Sequence, residues 1–305
     1  MKKRKTSIHE TSALKSRKLG YILLLPASLL IILVSLYPLV NGIILGFQDY
    51  NLLRPKRRKF VGFDNFIEIL TKDSEFYSTL AFSFIYTLFV VIVAYIIGLC
   101  FAMLLNRDIK GRGIFRMLIL IPWVIPSVVA TTNWLWLLND QLGFVNRTLE
   151  KFHLISEPIL FLADENLARI TVIFTGAWKS FPFMMIVLLA GLQGISNDLY
   201  ESASIDGAGF FKKFWYITMP SLKSVSMIST ILMFLWTFNN FENIYLLTRG
   251  GPMDSTYTLP ILSYYTAFIR SNIGYASAIA TIMLVVLLVI AMLYMKVLSN
   301  REKYE

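Results

Sequence analysis

Six long stretches dominated by Leu, Ile, Val, Phe and Ala recur through this chain, at roughly 19–47, 77–105, 114–138, 169–195, 222–248 and 274–297. About 20 residues, rising 1.5 Å each, cover the roughly 30 Å hydrocarbon layer of a bilayer. No water is present there to satisfy a peptide group, so each segment must close its hydrogen bonds internally, as a helix. The expected fold is therefore an all-α integral membrane protein with six transmembrane helices. Hydrophobic residues make up 56% of the chain and charged residues 16%, far from an ordinary soluble domain. The stretches use nearly the whole length. One membrane domain over 19–297 is expected, between a basic tail over 1–18 and a short tail over 298–305.

Charge placement orients the domain. Basic residues concentrate in the N-terminal tail (Lys2, Lys3, Arg4, Lys5, Lys15, Arg17, Lys18), after the second span (Arg107, Lys110, Arg112, Arg116), after the fourth (Lys212, Lys213, Lys223) and at the end (Lys296, Arg301, Lys303). The positive-inside rule puts these segments, and so both termini, in the cytoplasm. The run Arg54 to Lys59 falls in the first outer loop against the rule, partly offset by Asp49, Asp64, Glu68, Asp73 and Glu75. The net charge of +10 flanks apolar segments, which fits anionic headgroups rather than nucleic acid. The first apolar segment is too long for a signal-peptide core and reads as a retained span. The lone Cys100 excludes a disulfide framework and reads as a small core residue.

Between the fourth and fifth spans lies Tyr200 to Pro220, YESASIDGAGFFKKFWYITMP. Asp198 and Glu201 suit the start of a short helix, and Gly207 suits its left-handed stop. The spacing Glu201-Ser202-Ala203, three residues, Gly207, nine residues, Ile217-Thr218-Met219-Pro220 closely resembles the EAA loop of binding-protein-dependent ABC importers. Ser202 replaces the usual Ala and Met219 the usual Leu. The resemblance implies a permease subunit whose cytoplasmic loop over 196–221 docks on an ATPase through Glu201, Ser202, Ala203, Asp206, Gly207, Ile217 and Pro220. It implies a multi-pass protein of the bacterial cytoplasmic (inner) membrane. Its partners would be a second homologous permease, two ATPase subunits and an extracytoplasmic solute-binding protein.

The chain itself lacks the chemistry of an enzyme. No phosphate-cradling G-x-x-x-x-G-K-[ST] occurs, and His9 and His153 stand apart. No cofactor is expected on this chain; ATP and Mg would be used by the partner ATPase. What polar chemistry there is lies within the spans. Gly176, Ser180 and Phe183 share a helical face beside Lys179, and Trp236, Asn240 and Asn243 share another. Pro122, Pro126 and Pro182 are expected to break the third and fourth spans, as at the binding sites of transporters.

The turn Thr248-Arg249-Gly250-Gly251-Pro252 is similar to that of the carbohydrate-handling subgroup, such as maltose-type importers. In these the sugar lies against the corresponding two helices. Matching W-x-x-x-P to Trp178 and Pro182, and N-N-F to Asn239, Asn240 and Phe241, carries that role to Lys179, Ser180, Phe183, Trp236, Thr237 and Asn240. Rings and amides of this kind suit a sugar. An ionised Lys179 within a span costs roughly 2.5–3.5 kcal/mol on insertion scales, so it is expected to face a wet cavity or a partner. Glu242 is one such partner; an acidic or phosphorylated sugar is the other. An ion-coupled secondary transporter is the rival class, but neither inverted repeats nor a coupling-ion site is evident.

Overall fold

A computed structural model describes residues 23–302, with side chains through Lys296. The basic tail expected over 1–18, and the last residues of the tail expected over 298–305, lie outside the described residues. The chain runs from α1 (Leu23–Gly46) through a two-stranded antiparallel ribbon, β1 (Gln48–Asp49) and β2 (Lys59–Phe60), to α2 (Asp64–Lys72) and α3 (Ser74–Leu105). Next come α4 (Arg112–Val124), α5 (Ser127–Leu137), α6 (Phe144–Lys151) and α7 (Glu165–Gln193). The rest is α8 (Asn197–Ile205), α9 (Phe210–Phe238), α10 (Glu242–Leu247), α11 (Leu259–Ile269) and α12 (Ile273–Glu302). The ribbon departs from all-α. It carries the exposed basic run, where Arg58 donates to Gln48 and lies 5.1 Å over the Tyr50 ring.

Among the described residues five helices, α1, α3, α7, α9 and α12, are long and apolar enough to cross a membrane. The third stretch is not a straight span: α4 and α5 meet at 91°. Ile125 and Pro126 are extended there, with ψ of 133° and 139°, because proline pushes the residue before it out of the helical region. Pro122 sits inside α4 and Pro182 inside α7. The fourth stretch is thus one uninterrupted helix, contrary to expectation. The fifth, expected to be continuous, stops at Phe238. Asn239 Nδ2 donates to the Leu235 carbonyl at 2.8 Å, and Asn240 Oδ1 accepts from the Asn243 N–H at 3.0 Å. Local side-chain bonds of this kind compete with the helical ladder.

The bundle is built on α3 against α7, which start at aspartate caps: Asp73 accepts from Phe76 N–H at 2.9 Å and Asp164 from Leu167 N–H at 2.9 Å. Their packing falls into two apolar layers. One holds Phe76, Tyr86, Val90 and Val172 with α10 to α12; the other holds Ala94, Leu99, Met184, Met185 and Leu188. At the second layer a Cβ on Gly98 would lie 2.9 Å from both the Met185 backbone nitrogen and Met184 Cβ. Neither can swing away. Gly98→Val is therefore expected to cost about 1–3 kcal/mol of overpacking, measured as a lower unfolding midpoint in detergent; an unchanged midpoint contradicts this close crossing.

At the end bearing α2, Arg270 grips Glu75 with two bonds of 2.8 and 2.6 Å, and Tyr275 donates to Asp73 at 2.7 Å. The bonds to the Glu75 carboxylate hold the Arg270 guanidinium above its ordinary pKa. Cys100 is exposed on α3 rather than in the core.

Candidate functional site

Between the two apolar layers lies a cavity of about 160 Å³, lined by Trp123, Gly176, Lys179, Ser180, Phe183, Met233, Trp236, Thr237, Asn240 and Asn243. All six substrate-path residues read from the sequence fall on this one wall. Helix α7 presents Lys179, Ser180 and Phe183 at the spacing of one turn. The last turn of α9 presents Trp236 and Thr237, and the break that follows presents Asn240. Thus Asn240 reaches the cavity from the break rather than from a helical face shared with Trp236.

The rings form a series, Trp123 tilted against Phe183 at 6.0 Å and Phe183 edge-to-face with Trp236 at 5.1 Å. Trp123 is 48% exposed and Trp236 57%, so this series borders the open side. The closed side is polar. Asn243, buried, directs its amide to the Val172 carbonyl and Thr175 hydroxyl at 3.3 Å each and to the Tyr86 hydroxyl at 3.5 Å. Gly176 allows this approach, since a Cβ there would stand 2.8 Å from the Tyr86 oxygen. Trp123 and Met233 escaped the sequence reading; the clustered prolines around Trp123 were the available signal. Trp178 packs away from the cavity, edge-on to Trp134 of α5 at 5.4 Å.

Lys179 does not pair with Glu242. No ion pair joins them among the described residues, and Glu242 is exposed. Lys179 Nζ donates instead to the backbone carbonyls of Ile125, at 2.7 Å, and Pro122, at 3.4 Å.

The second candidate region lies beyond the C-terminal end of α7. The Ser196 hydroxyl caps α8 by accepting from Asp198 N–H at 3.3 Å. Gly207 closes the helix at φ +75°. The Gly207 N–H bonds Ser204 O at 3.1 Å and Ala208 N–H bonds Ala203 O at 2.8 Å, the paired bonds of a Schellman stop. Glu201, Ser202, Asp206 and Gly207 are exposed and Ala203 is half-buried. Ile205 is 88% exposed and Leu199 51%, two apolar side chains on a peg that also carries Glu201, Ser202 and Asp206.

Ile217 and Pro220 stand apart from that peg, in α9. Proline cannot donate and would crowd the carbonyl four residues back. A π-helical turn over Phe214–Thr218, with the Met219 N–H bonded to Phe214 O, absorbs the misfit. The two halves of the motif are stitched by Tyr200 and Thr218 hydroxyls 2.9 Å apart, and by Lys213 donating to Ser204.

A bundle of apolar helices with a polar cavity between its core layers and an exposed helical peg at one end is the layout of a polytopic transport subunit. A family model, described as binding-protein-dependent transport system inner membrane component, matches residues 94–304, and the chain belongs to that family. It is 34% identical to the trehalose/maltose transport system permease protein MalF of Thermococcus litoralis, over 94% of this chain and 96% of that one. It is 30% identical to the sulfoquinovosyl glycerol transport system permease protein SmoG of Agrobacterium fabrum, over 95% and 93%. Its fold matches a chain of a bacterial ABC transporter that imports the acidic polysaccharide alginate, with a TM-score of 0.82, 22% identity and coverage of 96% and 99%. The protein is a multi-pass inner membrane component of a binding-protein-dependent transport system.

Proposed function

We propose that this chain is the permease subunit of an ABC importer that carries a carbohydrate inward by alternating access. The observation that carries the reading is the single cavity that gathers Ser180, Phe183, Trp236, Thr237 and Asn240. Aromatic faces stack on the apolar faces of a sugar ring, while amides and hydroxyls exchange hydrogen bonds with its rim. The 34% identity with a trehalose/maltose permease supports the same class.

In this reading both termini are cytoplasmic and the bent pair α4–α5 takes the place of the third span, giving six. Glu201, Ser202, Ala203, Asp206 and Gly207 form the peg seated on an ATPase subunit; Ile217 and Pro220 shape the helix behind it. Helix α7 is unbroken from the cavity to the residue preceding the peg's link, roughly 20 Å at 1.5 Å per residue. It can therefore carry a displacement of the peg to Lys179, Ser180 and Phe183 without loss in a hinge. The complex comprises a second homologous permease, two ATPase subunits that consume ATP with Mg, and an extracytoplasmic binding protein.

The test is maltose uptake into vesicles bearing the assembled complex. Uptake is expected to require internal ATP and to persist when an ionophore collapses the proton gradient. Uptake driven by the gradient without ATP makes the chain a secondary transporter and ends the proposal.

A further inference from the structure

The right-angle break between α4 and α5 strands two backbone carbonyls, and Lys179 is the group that meets them. In an unbroken helix the Pro122 carbonyl would accept from the N–H of residue 126. That residue is proline and has none. Ile125, at φ −60° and ψ 133°, turns its own carbonyl out of the ladder. Lys179 Nζ reaches both, at 2.7 Å from Ile125 O and 3.4 Å from Pro122 O. A cation there also faces the negative end of the α4 dipole.

We propose that Lys179 is a positioning residue that caps the C-terminal end of α4, fixes the bend that sets Trp123 against the cavity, and so leaves the cavity to select an uncharged carbohydrate. Lys179 is the only charged side chain among the residues lining that cavity. Glu242 reaches it only through its field. With two of its three donors engaged by carbonyls, the ammonium is a component of the wall. An entering carboxylate or phosphate would gain its charge only by releasing the break. The substrate class rests on the carbohydrate reading above; the cap does not.

The experiment uses the assembled transporter in membranes, with Cys100→Ser and a reporter Ser127→Cys at the first residue of α5, labelled by a water-soluble maleimide without sugar. Lys179→Met is expected to change the labelling rate by about tenfold, the scale set when a desolvated carbonyl loses its donor. Maltose uptake should fall by a similar factor. Lys179→Arg, which keeps the donors, restores both. Pro126→Ala returns an N–H to the Pro122 carbonyl, so its effect on labelling should be non-additive with Lys179→Met.

Unchanged labelling in Lys179→Met overturns the cap, whether or not uptake falls. Additive effects of Pro126→Ala and Lys179→Met overturn it as well. Faster uptake of a uronic-acid disaccharide than of maltose by the unsubstituted protein overturns the uncharged-substrate assignment. The labelling arm needs no transported sugar. Failure of the carbohydrate reading therefore shows separately, as absent maltose uptake by the unsubstituted complex.

Discussion

A Gly207→Val variant is expected to insert and accumulate as the unsubstituted protein does, yet to lose most of its transport. Gly207 sits at φ +75°, where an L-residue costs about 1–2 kcal/mol and a β-branched one sits worst. A Cβ added there meets no atom within 4 Å in this chain, so the backbone conformation, not crowding at Cβ, sets the penalty. The strain falls on the two bonds that end α8, Gly207 N–H to Ser204 O and Ala208 N–H to Ala203 O. Without them the chain no longer turns back toward α9, and the exposed face of Glu201 and Ile205 is no longer presented as one rigid peg. A loss of about tenfold follows from the strain alone; in the docking proposed above, a partner groove shaped to the turn would add to it. The measurement is initial uptake and uptake-coupled ATP hydrolysis at matched membrane levels, with Gly207→Ala as an intermediate case. Uptake at the unsubstituted rate would remove α8 from energy coupling.

The path from sequence to these two regions was uneven for identifiable physical reasons. Apolar length alone placed α1, α3, α7, α9 and α12, because bilayer thickness fixes how many residues a helix must devote to it. The left-handed Gly207 was legible because few residues other than glycine adopt that conformation. Spacing along one helix placed Ser180 and Phe183 on one face beside Lys179, while the resemblance supplied Trp236, Thr237 and Asn240, the last of which reaches the cavity from a break that spacing does not show.

What spacing did not reveal was where helices end. Pro122, Pro126 and Pro182 have the same local chemistry, yet only the Ile125–Pro126 step breaks the chain. The Asn239-Asn240 pair ends α9 with no proline at all, its amides closing on Leu235 and Asn243. Proline removes one bond, and the surroundings decide whether a helix bends there. At Pro182 packing of α7 along α3 holds the helix through. At Pro126 a lysine from a neighbouring helix stands ready to take the freed carbonyls. The sequence offers Lys179 only Glu242 or an acidic or phosphorylated sugar as partner, because a backbone acceptor created by tertiary structure leaves no mark in it.

Purified and reconstituted by itself, the chain is expected to show no sugar uptake above leak, whatever the gradient imposed. Sites for small ligands occupy roughly 300–1,000 Å³, and the cavity here encloses about 160 Å³. Its rings border the open side, with Trp236 57% and Trp123 48% exposed, so a disaccharide seated on them would leave much of its surface uncovered. The missing wall cannot come from α3 or α10, because the Asn243, Tyr86 and Thr175 cluster already fills the closed side. In the complex proposed above it comes from another subunit, and the second permease would bring a surface of the same kind. Alternating access in that proposal would consist of the two walls parting on one membrane face and meeting on the other. A single wall can do neither. The decisive comparison is proteoliposomes holding this chain alone against those holding it with the second permease, the ATPase and the binding protein. Saturable, stereoselective uptake by the lone chain would mean that its own 160 Å³ cavity is a complete site, and the half-site account would fall.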